Sequence, residues 1–249
     1  MKKRNLLFTL FILGLGIGLF SCNMGSGKNV NQYPASYVVI SDNASMGGIT
    51  MGTIWGYFAA PSLVDVYPGD CLIVNQFTVD LDNQPAGKQY YTATNIDKSF
   101  VDHSFIEIND TVAVADYTLK PSNPGGISSA YYQGRFFIGF NSKDKNPALR
   151  LVYNRKELDN GIKNFYLLVQ PSPSGTSASD VTTVHAFDLS SVIQNPEFGR
   201  DTTIVFSDYP TGIAFRYIKV NLNYLSDIAA DGTPTFTKVQ SPYEIYVFK

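Results

Sequence analysis

Short apolar runs punctuated by Gly, Pro, Asn and Asp recur along nearly the whole chain, at the spacing of β-sandwiches and barrels. The runs predict strands over Tyr37 to Ile40, Thr53 to Phe58, Cys71 to Val79, Gln89 to Asn95 and Arg135 to Phe140. Five more are predicted over Leu149 to Tyr153, Asn164 to Gln170, Thr202 to Phe206, Ala214 to Leu225 and Tyr243 to Phe248. No stretch holds a 3.6-residue period past ten residues, and only Leu189 to Phe198 has the makings of one short helical turn. Two hairpins stand out. Leu149 to Tyr153 and Phe165 to Val169 flank Asp159-Asn160-Gly161, where Asn-Gly supplies the φ > 0 conformations of a tight turn. A second turns at Asp82-Asn83-Gln84-Pro85-Ala86-Gly87, between runs ending at Val79 and opening at Tyr90.

The densest Pro/Gly cluster, Lys120-Pro121-Ser122-Asn123-Pro124-Gly125-Gly126, divides the pattern into parts of about 90 and about 130 residues, each large enough for its own core. About five strands before it fit a small barrel and seven or eight after it a sandwich. Composition agrees with an all-β class, since 14% of the residues are aromatic and only 16% charged.

The N-terminal segment departs from this pattern. Lys2, Lys3 and Arg4 precede an apolar run from Leu6 to Phe20, which as a helix would span about 23 Å, short of the ~30 Å hydrocarbon core. With Gly14, Gly16 and Gly18 near its end, it reads as a secretory leader and not a permanent span. Leu19-Phe20-Ser21-Cys22 resembles the lipid-attachment box of bacterial lipoproteins, which implies cleavage after residue 21 and acylation of Cys22. Several acyl chains, at ~0.8 kcal/mol per buried CH2, hold such a protein on the bilayer. Asn23 to Tyr33 is a Gly, Ser and Asn tether of eleven residues, with a root-mean-square reach of roughly 18 Å. Surface-exported lipoproteins usually carry acidic residues just after the cysteine, whereas this chain has Asn23-Met24-Gly25-Ser26-Gly27-Lys28, so the expected place is the periplasmic side of the outer membrane. The expected organisation is a leader over 1–21, a lipidated tether over 22–33, a barrel over 34–119 and a sandwich over 120–249.

Loss of the leader takes the 19 basic side chains to 16 against 21 acidic ones, which excludes nucleic acid as a partner and leaves no polybasic patch for lipid headgroups. With Cys22 acylated, Cys71 is the remaining thiol and no intramolecular disulfide can form. Its place in Cys71-Leu72-Ile73-Val74 reads as a buried small hydrophobe.

Candidate chemistry is sparse. The chain has no phosphate-cradling Gly-x-x-x-x-Gly-Lys-Ser/Thr loop, no His-Glu-x-x-His, no Gly-x-Ser-x-Gly and no Cys-x-x-Cys. His103 and His185 are too few for a zinc site without several carboxylates, and His185 and Asp188, three apart in a strand, point to opposite faces. Asp80-Leu81-Asp82-Asn83 opens like a calcium loop but has Pro85 and Tyr91 where Gly and Glu belong, so it reads as turn chemistry. No catalytic residue, metal or cofactor is assigned. Trp55, Tyr57, Tyr90, Tyr91, Tyr131 and Tyr132 form a set of aromatics suited to stacking on saccharide rings, although β-rich cores use aromatics in any case. Asp110-Thr111-Val112 and Asp201-Thr202-Thr203 resemble the Asp-Ser/Thr-apolar O-glycosylation signal of exported bacterial proteins.

Taken in order, Tyr67-Pro68-Gly69-Asp70 before Leu72 to Asn75, Tyr91 to Ile96, Arg135 to Phe140, Asn164 to Gln170 and Val184 to Ser191 are similar in spacing to the NigD-like lipoproteins. That resemblance implies an N-terminal OB-like (oligonucleotide/oligosaccharide-binding) barrel, a C-terminal β-sandwich and no established activity. The function expected is non-catalytic, by binding or assembly in the cell envelope, with the membrane reached through the lipid anchor and an envelope protein or glycan as partner. The alternatives are a fimbrillin-like subunit donating its last strand, Tyr243 to Phe248, and a glycan-binding module.

Overall fold

The computed structural model describes residues 29–87, 90–123, 125–159, 161–195, 200–206, 209–239 and 243–248. The leader, Cys22 and most of the tether lie outside them. Among the described residues the chain is all β apart from single helical turns, and it forms two compact units, divided between Val101 and Asp102.

The first unit is built from β1 (Val30–Tyr33), β2 (Ser36–Asn43), β3 (Gly48–Thr53), β4 (Gly56–Ala59), β5 (Cys71–Asp80), β6 (Tyr91–Thr92) and the first part of β7 (Thr94–Phe105). Pro34, which has no N–H to donate, separates β1 from β2, and the two follow one another along one edge of β5: Tyr33 pairs with Phe77 and Val38 with Leu72. β2, β3 and β4 form a meander. β4 then pairs in parallel with β6, β5 pairs antiparallel with β7, and only Ala93 separates β6 from β7, its N–H donating to the Ala59 carbonyl at 2.8 Å. The sheet therefore meets itself and closes, in the order β1/β2, β3, β4, β6/β7, β5. That is the OB-like barrel expected from the resemblance. Alternate residues fill it: Val38 and Ile40, Met51, Phe58, Leu72 and Val74, Phe77 and Val79 are all buried.

One predicted strand is corrected here. Thr53 to Phe58 is not continuous: β3 ends at Thr53 and β4 begins at Gly56. The Thr53 hydroxyl accepts the Trp55 N–H at 3.0 Å and Gly56 takes φ +122°, so a hydroxyl and a glycine turn the chain inside an apolar run.

The second unit is a sandwich. One sheet holds the end of β7, β13 (Thr176–Asp188), β10 (Arg135–Asp144) and β9 (Ile127–Tyr132). The other holds β8 (Glu107–Asn109), β11 (Ala148–Asp159), β12 (Ile162–Gln170), β14 (Arg200–Phe206), β15 (Tyr209–Ile228), β16 (Pro234–Lys238) and β17 (Tyr243–Phe248). Their facing sides share one core, in which Phe136, Ile138 and Phe187 of the first sheet meet Leu151, Phe165, Leu167, Ile218 and Val220 of the second. The Phe136 and Phe165 rings meet edge to face across it at 6.4 Å. A single helical turn, α1 (Ser190–Ile193), buries Val192 and Ile193 within the stretch where one was expected.

The β11–β12 hairpin pairs the two predicted runs, with Leu149 opposite Val169 and Tyr153 opposite Phe165, and after a register shift Asp159 opposite Ile162. Asn160 lies outside the described residues. Gly161 holds φ +80°, and a methyl group added there would meet nothing within 4 Å. Gly161→Ala is therefore expected to cost about 1–2 kcal/mol through backbone strain alone, read as a lower urea midpoint at unchanged slope.

The division between units falls ahead of the Pro/Gly cluster at 120–126. The end of β7 already pairs with β13 and β8 with β11, and the segment from Asp110 to Leu119 follows them as a strap with no strand of its own. Val112, Val114 and Tyr117 pack on Val152, Tyr166 and Leu168, the outer side of the second sheet, and the Leu119 N–H donates to Val169 at 3.0 Å. Asp110 pairs with Arg155 at 2.7 Å and Lys156 at 3.3 Å, and Lys120 with Asp227 at 2.8 Å, closing both ends of the strap.

Candidate ligand-binding surface

The aromatics of the barrel divide into a rim and a surface. Tyr33 stacks on Phe77 with centroids 4.7 Å apart and planes 3° from parallel, meets the edge of Phe58 at 5.2 Å and lies 6.3 Å from Trp55. Trp55 is therefore the half-buried margin of the core and not an open platform. Tyr57 and Tyr91, by contrast, are 56% and 52% exposed, and Ile54, three residues before Tyr57, is 53% exposed. The two tyrosines sit on adjacent strands but on different sides: Tyr91 is the register partner of core-facing Phe58 and stands at the barrel margin, whereas Tyr57, next to Phe58, points outward. Burial raises the Tyr33 phenol pKa; a hydrogen bond with Asn31 opposes this, and the neighbouring Tyr91 phenol adds to it. Tyr90 links two loops: a Cβ on Gly47 would lie 3.3 Å from its phenol oxygen, so the turn over Ala44–Met46 and the loop ending at Tyr90 approach one another. Loops at those places, beside the strands equivalent to β3 and β4, carry the ligand face of OB-type barrels.

The six aromatics singled out in sequence do not form one site. Trp55, Tyr57, Tyr90 and Tyr91 belong to the barrel and Tyr131 and Tyr132 to the sandwich, where both are half-buried and Tyr131 packs on the core. Its burial raises the Tyr131 phenol pKa, opposed by a backbone hydrogen bond at Gly134.

Comparison with known proteins adds the fold and nothing finer. No protein-family model matches the chain and no curated protein matches it. Among solved structures it is similar to an uncharacterized protein from Parabacteroides merdae ATCC 43184, with TM-score 0.60 and 14% identity over 86% of this chain and 98% of that one. It is also similar to a putative toxin-related protein from Parabacteroides distasonis ATCC 8503, with TM-score 0.51 and 14% identity over 87% and 93%. A NigD-like immunity protein from Bacteroides caccae ATCC 43185 overlaps at TM-score 0.47 and 15% identity over 82% and 93%. The first two show a shared fold; the third overlap is too low to add to it.

The remaining sequence candidates take structural places. Cys71 is 1% exposed, its Sγ 3.7 Å from the Gly69 carbonyl oxygen. Asp80 receives the Asp82 N–H at 3.0 Å and the Asn83 side-chain amide at 2.7 Å, which is turn chemistry. His103 is exposed; His185 is half-buried, 2.9 Å from the Ser104 hydroxyl, and burial lowers its pKa against the opposing charge of Asp102. Asp188 pairs with Arg135 at 2.5 Å, so it does not orient His185 as a triad carboxylate would. Thr111 is exposed at the start of the strap, beside the ion-paired Asp110. Thr202 lies in β14, and its side chain, like Cys22, is outside what is described. Among the described residues no group of three His, Cys, Asp or Glu could hold a metal ion.

Proposed function

We propose that this is a non-catalytic protein of the cell envelope, lipid-anchored at Cys22 on the periplasmic side of the outer membrane and akin to the NigD-like lipoproteins. It acts by binding, and the barrel surface around Tyr57 and Tyr91 receives the ligand. The observation that carries this reading is exposed Tyr57 on the outer side of β4, with exposed Tyr91 at the adjoining barrel margin on β6, at the place where barrels of this topology bind. The leader, the attachment box and the short tether support the anchor. Asn29, only seven residues past Cys22, is already fixed: its N–H donates to Asp82 at 2.9 Å and its carbonyl accepts from Leu81 at 2.8 Å. A saccharide is the ligand class that fits exposed phenol rings in a protein of net negative charge. The fimbrillin-like alternative gains no support, because β17 already pairs with β15 over Tyr243 to Phe248.

Two measurements test the proposal. Growth with labelled palmitate should mark the protein and leave it in the membrane fraction, and Cys22→Ala should abolish both; label retained by the variant overturns the anchor. On a glycan array, Tyr57→Ala with Tyr91→Ala should reduce binding about tenfold or more. No binding across a broad panel overturns the saccharide reading.

A further inference from the structure

The outer side of the second sheet of the sandwich is only partly covered by the strap. Along β15, Ile218, Val220 and Leu222 face the core, so Tyr217, Lys219 and Asn221 face outward; on β17, Ile245 faces the core and Glu244 and Tyr246 face outward. The register sets Tyr217 opposite Tyr246 and Lys219 opposite Glu244, which brings four side chains into a square. The Tyr217 hydroxyl donates to Glu244 Oε1 at 2.7 Å and the Tyr246 hydroxyl to Oε2 at 3.0 Å. Lys219 Nζ lies 3.5 Å from Oε1 and 5.7 Å from the Tyr217 ring centre, and the two tyrosine rings are 5.2 Å apart, inclined by 39°. Lys219 and Glu244 are exposed and both tyrosines half-buried. Next along β15, buried Asn221 donates to Asn164 Oδ1 at 2.9 Å, so carboxamides continue the same face.

We propose that this square is a binding platform for a neutral saccharide, separate from the barrel surface and independent of the reading given for it. Both phenol protons are committed to one carboxylate, so the rings are already held and a ligand need not immobilise them. Burial and the adjacent carboxylate raise both phenol pKa values, Tyr246 to about 12, which keeps those protons in place at any physiological pH. The sign of the ligand follows from the charges. Glu244 and Lys219 offset each other, so neither phosphate nor carboxylate is favoured. An external cation finds the position over Tyr217 already taken by Lys219. What remains is apolar ring surface, phenol oxygens that can accept, and an ammonium with further N–H groups to donate. That combination matches the C–H face and hydroxyl rim of a pyranose.

The test is affinity electrophoresis of the detergent-solubilised full-length protein in native gels containing dextran, laminarin, xylan or alginate. Retardation is expected in at least one of the three neutral polymers and not in alginate. In a Tyr57→Ala, Tyr91→Ala background, which removes any contribution of the barrel surface, retardation should persist, and Tyr217→Ala and Tyr246→Ala should each reduce it about tenfold. Glu244→Gln preserves shape but leaves Lys219 uncompensated, and is expected to transfer preference to the acidic polymer. Unchanged mobility of the wild type in all three neutral polymers overturns the proposal. So does retardation that, in that background, survives both alanine variants or is already absent, the latter returning the ligand to the barrel.

Discussion

Phe77→Ala is expected to lower the stability of the barrel by about 3–5 kcal/mol, the range for deleting a fully buried aromatic ring. Phe77 is 0% exposed, stacks on Tyr33 and meets the edge of Phe58 at 5.0 Å, so its removal leaves a cavity bordered by two rings that have lost their partner. Those neighbours are fixed from different strands, Tyr33 by β1 and Phe58 by β4, which limits how far the site can collapse. The measurement is urea unfolding followed by hydrogen exchange, with loss of protection greatest in β1, β4 and β5. Phe77→Leu, which keeps most of the volume, should cost clearly less. Equal losses for the two variants would mean that ring packing is not what holds this core.

Asp188→Ala is expected to cost a comparable ~3–5 kcal/mol in the sandwich, for an electrostatic reason. Asp188 and Arg135 are register partners on β13 and β10, with side chains only 11% and 17% exposed. Deleting the carboxylate leaves a guanidinium that water reaches poorly. The same carboxylate accepts the Ser190 N–H at 2.7 Å at the start of α1, so two interactions are lost together. Asp188→Asn separates them, because its amide oxygen can still accept from Ser190 but carries no charge. A loss near that of alanine assigns the effect to Arg135; near wild-type stability would assign it to the helical turn.

The strands that were legible in sequence are those whose burial alternates or whose runs are wholly apolar. β5, β10, β12 and β17 are of this kind. Those missed are polar or short: β9 reads Ile-Ser-Ser-Ala-Tyr-Tyr, and the first half of β13 is exposed Thr, Ser and Asp held in place by pairing. The domain boundary was misplaced because Pro and Gly mark a change of direction, not the end of a packing unit. Val112, Val114 and Tyr117 follow no strand period, so nothing local shows that they cover a sheet. Among candidate site residues, Tyr57 and Tyr91 could be picked out as aromatics but not told apart from Trp55, which packs against the barrel core. The Tyr217, Lys219, Glu244 and Tyr246 square was hidden for another reason. Both strands read clearly, but their register across 27 positions is set by the fold and is not written in either segment.

The strap also decides where this chain can be cut for separate expression. A fragment beginning at Pro121 retains most strands of the sandwich yet strips the cover from Val152, Tyr166 and Leu168, turning a layered interior into an adhesive outer wall. Such a fragment should precipitate at concentrations where one beginning before Asp102 stays monodisperse. The ten residues from Asp110 to Leu119 would then act as a built-in solubility tag, one that travels with the second unit although the punctuation of the sequence assigns it to the first.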